Sequence, residues 1–148
     1  MKGLGESMQP IMNADEIMGM LDEVFPQIHA DGRVYAIESV GPGEAVLRLS
    51  ANERHLRPGG TVSGPTMMAM ADFAAYVVIL AHIGPQALAV TTNLNINFLR
   101  KPEPGDLLAT CRLLKLGKRL AVVDCAIAGE GQDEMVAHAT ATYSIPPR

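Results

Sequence analysis

A chain of 148 residues with 48% hydrophobic, 19% charged and 4% aromatic residues has the profile of one compact soluble domain, too apolar to be disordered and too short for two cores. Twelve Lys+Arg against sixteen Asp+Glu leave a formal charge of -4, which excludes the broad basic footprint of a polyanion binder, so no nucleic-acid partner is expected. Met1 to Pro10 holds one Lys and no apolar run, so no secretory segment is expected and the cytoplasm is the expected location.

Residues Ala14 to Phe25 carry Ile17, Met18, Met20, Leu21, Val24 and Phe25 at helical spacing, with Asn13 as cap and Pro26 closing the segment. Residues 1–31 are accordingly read as an N-terminal extension and 32–148 as the main domain. Two strands follow, Gly32 to Val40 and Glu44 to Ser50, joined through Gly41-Pro42-Gly43 as an antiparallel hairpin. A polar, glycine-rich loop from Asn52 to Gly64 leads into Pro65, with Gly64 and Pro65 read as the N-cap and first residue of a helix. The window Thr66 to Ile83 would span ~27 Å as a helix, near the lower limit for crossing a bilayer. Asp72 in its middle and the strand patterns after it favour a helix buried inside a soluble fold, and no membrane partner is expected.

The remaining third is strand-like: Ala87 to Leu99, Asp106 to Leu116, Leu120 to Ala128 and Glu134 to Ile145, with turns at Gly117-Lys118 and Gly129 to Gln132. Cys111 and Cys125 fall on neighbouring strands and could face each other as small buried residues. Without a CxxC or a Cys/His cluster, neither a metal nor a redox site is expected. In the last strand Ala137, Ala139 and Ala141 line one face and His138, Thr140 and Thr142 the other, which suits a sheet pressed closely on a helix. One long apolar helix beside about six antiparallel strands is buried most economically when the sheet curves around it, an α+β arrangement known as the hotdog fold. Alanines 69, 71, 74, 75 and 81 let the sheet approach, and its open edge strands make dimerisation the expectation.

Asp72 is the only acid between Gly64 and Glu103 and sits two turns into an otherwise almost wholly apolar helix. Burial favours its neutral form unless a donor or cation compensates, and a partly desolvated carboxylate suits a water-activating base as well as a structural hydrogen bond. The helix start at Gly64 presents free N–H groups and the positive dipole end, a ready oxyanion site. Eight helical residues separate the two by ~12 Å, whereas an attacking group must come within ~3–3.5 Å of the polarised carbonyl. If both act in one reaction, they come from two protomers of an obligate dimer.

In the strand Val90 to Leu99, Thr91, Asn93, Asn95 and Asn97 fall on one face by alternation, so Thr91, with Asn93, could position a water or substrate, unless the row is only a polar outer face. Met67, Met68 and Met70 could line an adaptable acyl pocket or be simple core. His55 and Arg57 lie in the loop before the helix, where either could contact substrate or merely be solvated, and Ser63 is a further candidate substrate contact. Arg100-Lys101 and Lys118-Arg119 could meet nucleotide phosphates or be merely solvated.

The run HLRPGGTVSGPTMMAMADFA from His55 to Ala74, the strand AVTTNLNINFLRKP from Ala89 to Pro102 and the hairpin LLKLGKRLAVVD from Leu113 to Asp124 resemble the PaaI-like acyl-CoA thioesterases of the hotdog superfamily, over roughly Gly32 to Ile145. The resemblance implies hydrolysis of an acyl-CoA thioester, with coenzyme A entering as part of the substrate; no other cofactor is expected, and self-association as a homodimer, or further as a homotetramer, is the expectation. The resemblance places the nucleophile or general base on Asp72, the carbonyl-polarising N–H on Gly64 and an assisting hydroxyl on Thr91. Two departures stand out: the family's His-Gly-Gly at the helix start is Ser63-Gly64-Pro65, and an Asn often found seven residues before the glycine is Arg57. A hotdog dehydratase or hydratase, similar in its loop, would need an acid five residues after the glycine, where Ala69 stands. A non-catalytic acyl-CoA-binding module is the other alternative.

Overall fold

The computed structural model describes residues 8–30 and 32–147. Residues 1–7, most of the stretch searched for a leader, lie outside the described residues, as do residue 31, the expected end of the extension, and residue 148.

Helix α1 (Ala14–Val24) opens on a reciprocal cap in which Asn13 Oδ1 accepts from the Glu16 N–H at 2.8 Å and the Glu16 carboxylate accepts from the Asn13 N–H at 3.1 Å. It ends one residue before Phe25, whose φ of -143° has left the helical region ahead of Pro26. Its apolar stripe buries Ile17 and Leu21 completely. The chain entering α1 is pinned to the far end of the central helix, since the Ile11 and Met12 N–H groups both donate to the Ala81 carbonyl, at 2.7 and 3.1 Å.

Six strands form one antiparallel sheet: β1 (Tyr35–Gly41), β2 (Glu44–Leu49), β3 (Val90–Phe98), β4 (Leu107–Leu116), β5 (Leu120–Gly129) and β6 (Met135–Ser144), in the spatial order β1-β2-β4-β5-β6-β3. β1 begins three residues later than alternation suggests, and β3 begins at Val90 rather than Ala87. In both places the preceding backbone is engaged locally, with the Val34 N–H donating to Gly32 and the Ala89 N–H to Gln86. Cys111 and Cys125 pair directly across β4 and β5 as free, buried thiols, and burial pushes the Cys111 thiol well up from its ordinary value.

Helix α2 (Gly64–Ile83) lies against the sheet and is buried on nearly every side from Met70 to Ile83, the exception being Asp72. By length and composition it could cross a membrane, with a mean hydropathy of 1.7, but 72% of that window is buried within the fold. Small side chains permit the approach: Ala71, Ala74, Ala75 and Ala81 on the helix, and Ala137, Ala139 and Ala141 on β6, are all essentially inaccessible. Ala69 is exposed instead.

His82, in the last turn of α2, is the polar tie between helix and sheet. Its Nδ1–H donates to the Val78 carbonyl at 2.8 Å, and its Nε2 accepts from the Gly43 N–H of the β1–β2 turn at 2.9 Å. Gly43 takes the positive φ of 68° that this turn requires. Replacing His82 by Leu leaves the buried Gly43 N–H without its acceptor, which should cost about 1–3 kcal/mol in urea denaturation. A variant as stable as wild type would show that the turn finds another acceptor without difficulty.

Candidate active site

The start of α2 is fixed by the loop before it. Gly59 and Gly60 both take positive φ, 98° and 80°, in a tight turn that lets Leu56 bridge to Val62, while the Ser63 N–H donates to the His55 carbonyl at 2.8 Å. Ser63, not Gly64, is the N-cap: its backbone is extended and its hydroxyl accepts from the Thr66 N–H at 3.3 Å, a role glycine cannot fill for want of a side chain. Gly64 is therefore the first helical residue and Pro65 the second. Pro65 has no N–H, the Thr66 N–H points to Ser63 Oγ, and the Met67 N–H donates to the Ser63 carbonyl at 3.1 Å. Among the described residues, only the Gly64 N–H remains unengaged in the opening of the helix. Its missing side chain matters too, since a Cβ there would meet the Phe98 ring of β3 at 3.3 Å.

Asp72 is half-buried where the helix passes β3 and β6. Its Oδ1 accepts from Thr91 Oγ1 at 2.6 Å and from the Tyr143 hydroxyl at 2.8 Å, and that hydroxyl also lies 2.8 Å from the Asp72 carbonyl oxygen. Its Oδ2 takes no hydrogen bond from the described residues. Burial, and then the charge of Asp72, push the Tyr143 phenol far above its ordinary value, so it remains a donor at neutral pH. The Tyr143 ring stacks on Tyr76, with centroids 6.2 Å apart, and the Tyr76 hydroxyl is anchored to the Ala87 carbonyl at 2.7 Å.

Thr91 reaches Asp72 through a bulge. Thr91 pairs with Tyr143, whereas Asn93 pairs with Thr142, so the register slips by one between them. The alternation read from sequence put Thr91 on the same face as Asn93, Asn95 and Asn97. In the fold Thr91 turns inward, and the three asparagines lie exposed beside the outward Thr142, Thr140 and His138.

Asp72, Thr91 and Tyr143 open onto a cavity of about 740 Å³. Its polar wall also includes Thr66 and the buried His55, whose Nδ1 accepts from the Asn52 N–H at 2.9 Å. Its apolar wall is aromatic and aliphatic, with Phe25 and Ile28 after α1, Tyr35 on β1, and Phe73 and Tyr76 on α2. Gly64, Ser63, Arg57, Met68 and Asn93 do not line it. Met68 is exposed, whereas Met67 and Met70 are core. Arg100 is ion-paired with Glu134, and Lys101, Lys118 and Arg119 are exposed. Among the described residues no group of three or more His, Cys, Asp or Glu could hold a metal ion. Alternation and helical periodicity missed Tyr143 and Tyr76. Tyr143 continues the inward row of Ala137, Ala139 and Ala141 and was legible by that parity.

A curved antiparallel sheet around one central helix is the hotdog fold, and among the described residues Asp72 is the one carboxylate that faces its cavity. Residues 59–136 match the Thioesterase superfamily model, more than half of the chain, and the chain belongs to that family as a thioester hydrolase. It is similar to a candidate thioesterase from Silicibacter sp. TM1040, 51% identical over 96% of this chain and 97% of that one, with a TM-score of 0.86. A mutant of the phenylacetic acid degradation protein PaaI from Thermus thermophilus superimposes with a TM-score of 0.69, at 26% identity over 82% of this chain and 99% of that one. The 1,4-dihydroxy-2-naphthoyl-CoA hydrolase of Listeria monocytogenes is 29% identical over 64% of this chain and 76% of its own.

The Phe98 contact makes Gly64 testable apart from any chemistry. Gly64→Ala should cost no more than about 1 kcal/mol in urea denaturation, because the half-exposed ring can yield a few tenths of an ångström. In a Phe98→Ala background the penalty should vanish, and an equal cost in both backgrounds would clear the ring as the obstacle.

Proposed function

We propose that the chain hydrolyses acyl-CoA thioesters as a homodimer, with Asp72 of one protomer and the Gly64 N–H of its partner acting on the same carbonyl. The observation that carries this reading is the Asp72 carboxylate itself, held on one oxygen by two hydroxyls and bare on the other, in the wall of a large cavity. The bare oxygen either attacks the thioester carbon or takes a proton from the water that does. In the first case an acyl-aspartyl anhydride forms and water then cleaves it; in both, the tetrahedral oxyanion collapses to release the thiolate of coenzyme A. The oxyanion is stabilised by an amide at a helix N-terminus, where backbone dipole and free donor coincide.

Within one protomer that amide stands ~12 Å along the helix from Asp72, too far for one reaction centre. The second copy is the source of the other half. β3 is an edge of the sheet, and Leu88, Val90, Phe98 and Leu99 are exposed on and beside it, with Leu88 77% accessible. Pairing of two such edges across a two-fold axis would satisfy the open backbone and cover these side chains. The expected further pairing of dimers into tetramers is not needed for the chemistry.

The ring-rich apolar wall suits an uncharged acyl group of small or medium size, aryl or aliphatic, since among the described residues its only ionisable neighbours are Asp72, His55 and three tyrosines. The names of the Thermus and Listeria relatives, which refer to phenylacetic acid and a naphthoyl-CoA, favour the aryl side. Lys118 and Arg119 occupy the β4–β5 turn, at the same end of the sheet as Val90 in the cavity wall, and suit the nucleotide phosphates. Arg100 and Lys101 stand at the opposite end of β3. Ala69 offers no acid to a dehydratase, although it lines the cavity.

Thiol release from a panel of aryl and aliphatic acyl-CoAs tests the proposal. Asp72→Asn should lower kcat on the order of 10²–10⁴-fold. Unchanged turnover in that variant would remove Asp72 from the reaction, and binding without turnover by wild type across the panel would make the chain an acyl-CoA-binding module instead.

A further inference from the structure

The structure assigns Tyr143 as a positioning residue: with Thr91 it fixes the Asp72 carboxylate so that Oδ2 alone faces the reactants. This rests on the reading of Asp72 as the reacting acid and extends it to the far side of the sheet edge. Three observations converge on it. The Tyr143 hydroxyl lies 2.8 Å from both Asp72 Oδ1 and the Asp72 carbonyl oxygen, so it spans the side chain and its own backbone. A rotation about χ2 away from this orientation would break the Thr91 and Tyr143 contacts together. The Tyr143 ring cannot easily swing away, because it is 3% accessible and stacked at 18° on Tyr76, which is itself tied to the Ala87 carbonyl and met edge-on by Phe25.

Thr91 alone would not suffice. One hydroxyl fixes a distance but leaves the carboxylate free to pivot about that contact, whereas two donors from different strands, β3 and β6, fix a plane. A reacting oxygen displaced by a fraction of an ångström from its line of attack loses rate steeply, so the second donor acts on the reaction step and not on substrate capture. Among the described residues no Lys or Arg lies in this cavity wall to hold the carboxylate instead; the other ionisable groups there are His55, Tyr35 and Tyr76.

The test compares wild type, Tyr143→Phe and a full-length chain with 3-fluorotyrosine at position 143, each assayed for thiol release and for its melt. Tyr143→Phe keeps the ring and removes the donor. The expected pattern is a loss of about tenfold in kcat with KM within about twofold of wild type, and recovery of most of that loss by fluorotyrosine, which restores the hydroxyl. Wild-type kcat in the Phe variant overturns the inference. So does a fluorotyrosine chain as slow as the Phe variant, which would implicate ring packing, and so does a Phe variant that fails to fold, which would make the residue structural. Asp72→Asn separates the two levels: if it leaves turnover intact, the proposed function fails, whereas if it abolishes turnover and Tyr143→Phe does not slow it, only the positioning role fails.

Discussion

A carboxylate on a helix that is apolar around its whole circumference must be solvated by the protein, because the water it would otherwise bind has been displaced by the sheet. In α2 that requirement falls on Asp72, and it determines what else the fold must supply. Two hydroxyls reach it, one from β3 and one from β6, and they meet only because these strands, separated in sequence by β4 and β5, are neighbours at the edge of the sheet. The same edge leaves the helix seam open at this point, so the carboxylate is half-covered and not sealed. The two hydroxyl contacts to the carboxylate and its opening onto the cavity thus come from one topological feature.

The β3 bulge completes the arrangement. Side chains alternate strictly along a strand, so in a regular β3 the residue two before the outward-facing Asn93 would also face outward and Thr91 would be lost to solvent. One extra residue in β3, against β6, reverses the parity upstream of Asn93 and brings the threonine under the helix. It also turns Val90 outward beside Ser144, leaving an apolar side chain exposed at the edge where a second copy is proposed to pair. A single backbone irregularity therefore serves both the carboxylate and the surface beside it.

Much of this was legible in the sequence wherever one periodicity held without interruption. The order of elements, the capped α1, the buried α2 and the alanine row of β6 all follow from 3.6- or 2-residue spacing, and the facing of Cys111 and Cys125 follows from hairpin register. Asp72 stood out because an acid breaks an apolar run. What spacing could not supply was the parity of Thr91, since a bulge has no signature in the run Val90 to Phe98, and the partnership of Tyr143, which requires knowing that β3 pairs with β6. The cap at Ser63 was missed for a simpler reason: Gly-Pro is a strong helix-start signal, and it drew the boundary one residue past the side chain that does the capping.

The departure at the helix start bears on how the proposed reaction stabilises its oxyanion. The resemblance leads one to expect His-Gly-Gly, a start with an N–H on both residues after the histidine; Ser63-Gly64-Pro65 has one. Thr66 and Met67 give no replacement, because Ser63 accepts from both, by hydroxyl and by carbonyl. In the proposed reaction the oxyanion is then left with one directed donor, the Gly64 N–H, and the undirected field of the helix dipole. A dipole stabilises charge anywhere near the helix mouth and so tolerates variation in where the carbonyl oxygen rests, whereas a pair of donors would fix it. In the proposed reaction the geometric precision then rests on the other side of the carbonyl, where Thr91 and Tyr143 hold Asp72 Oδ1 and so set the direction in which Oδ2 points.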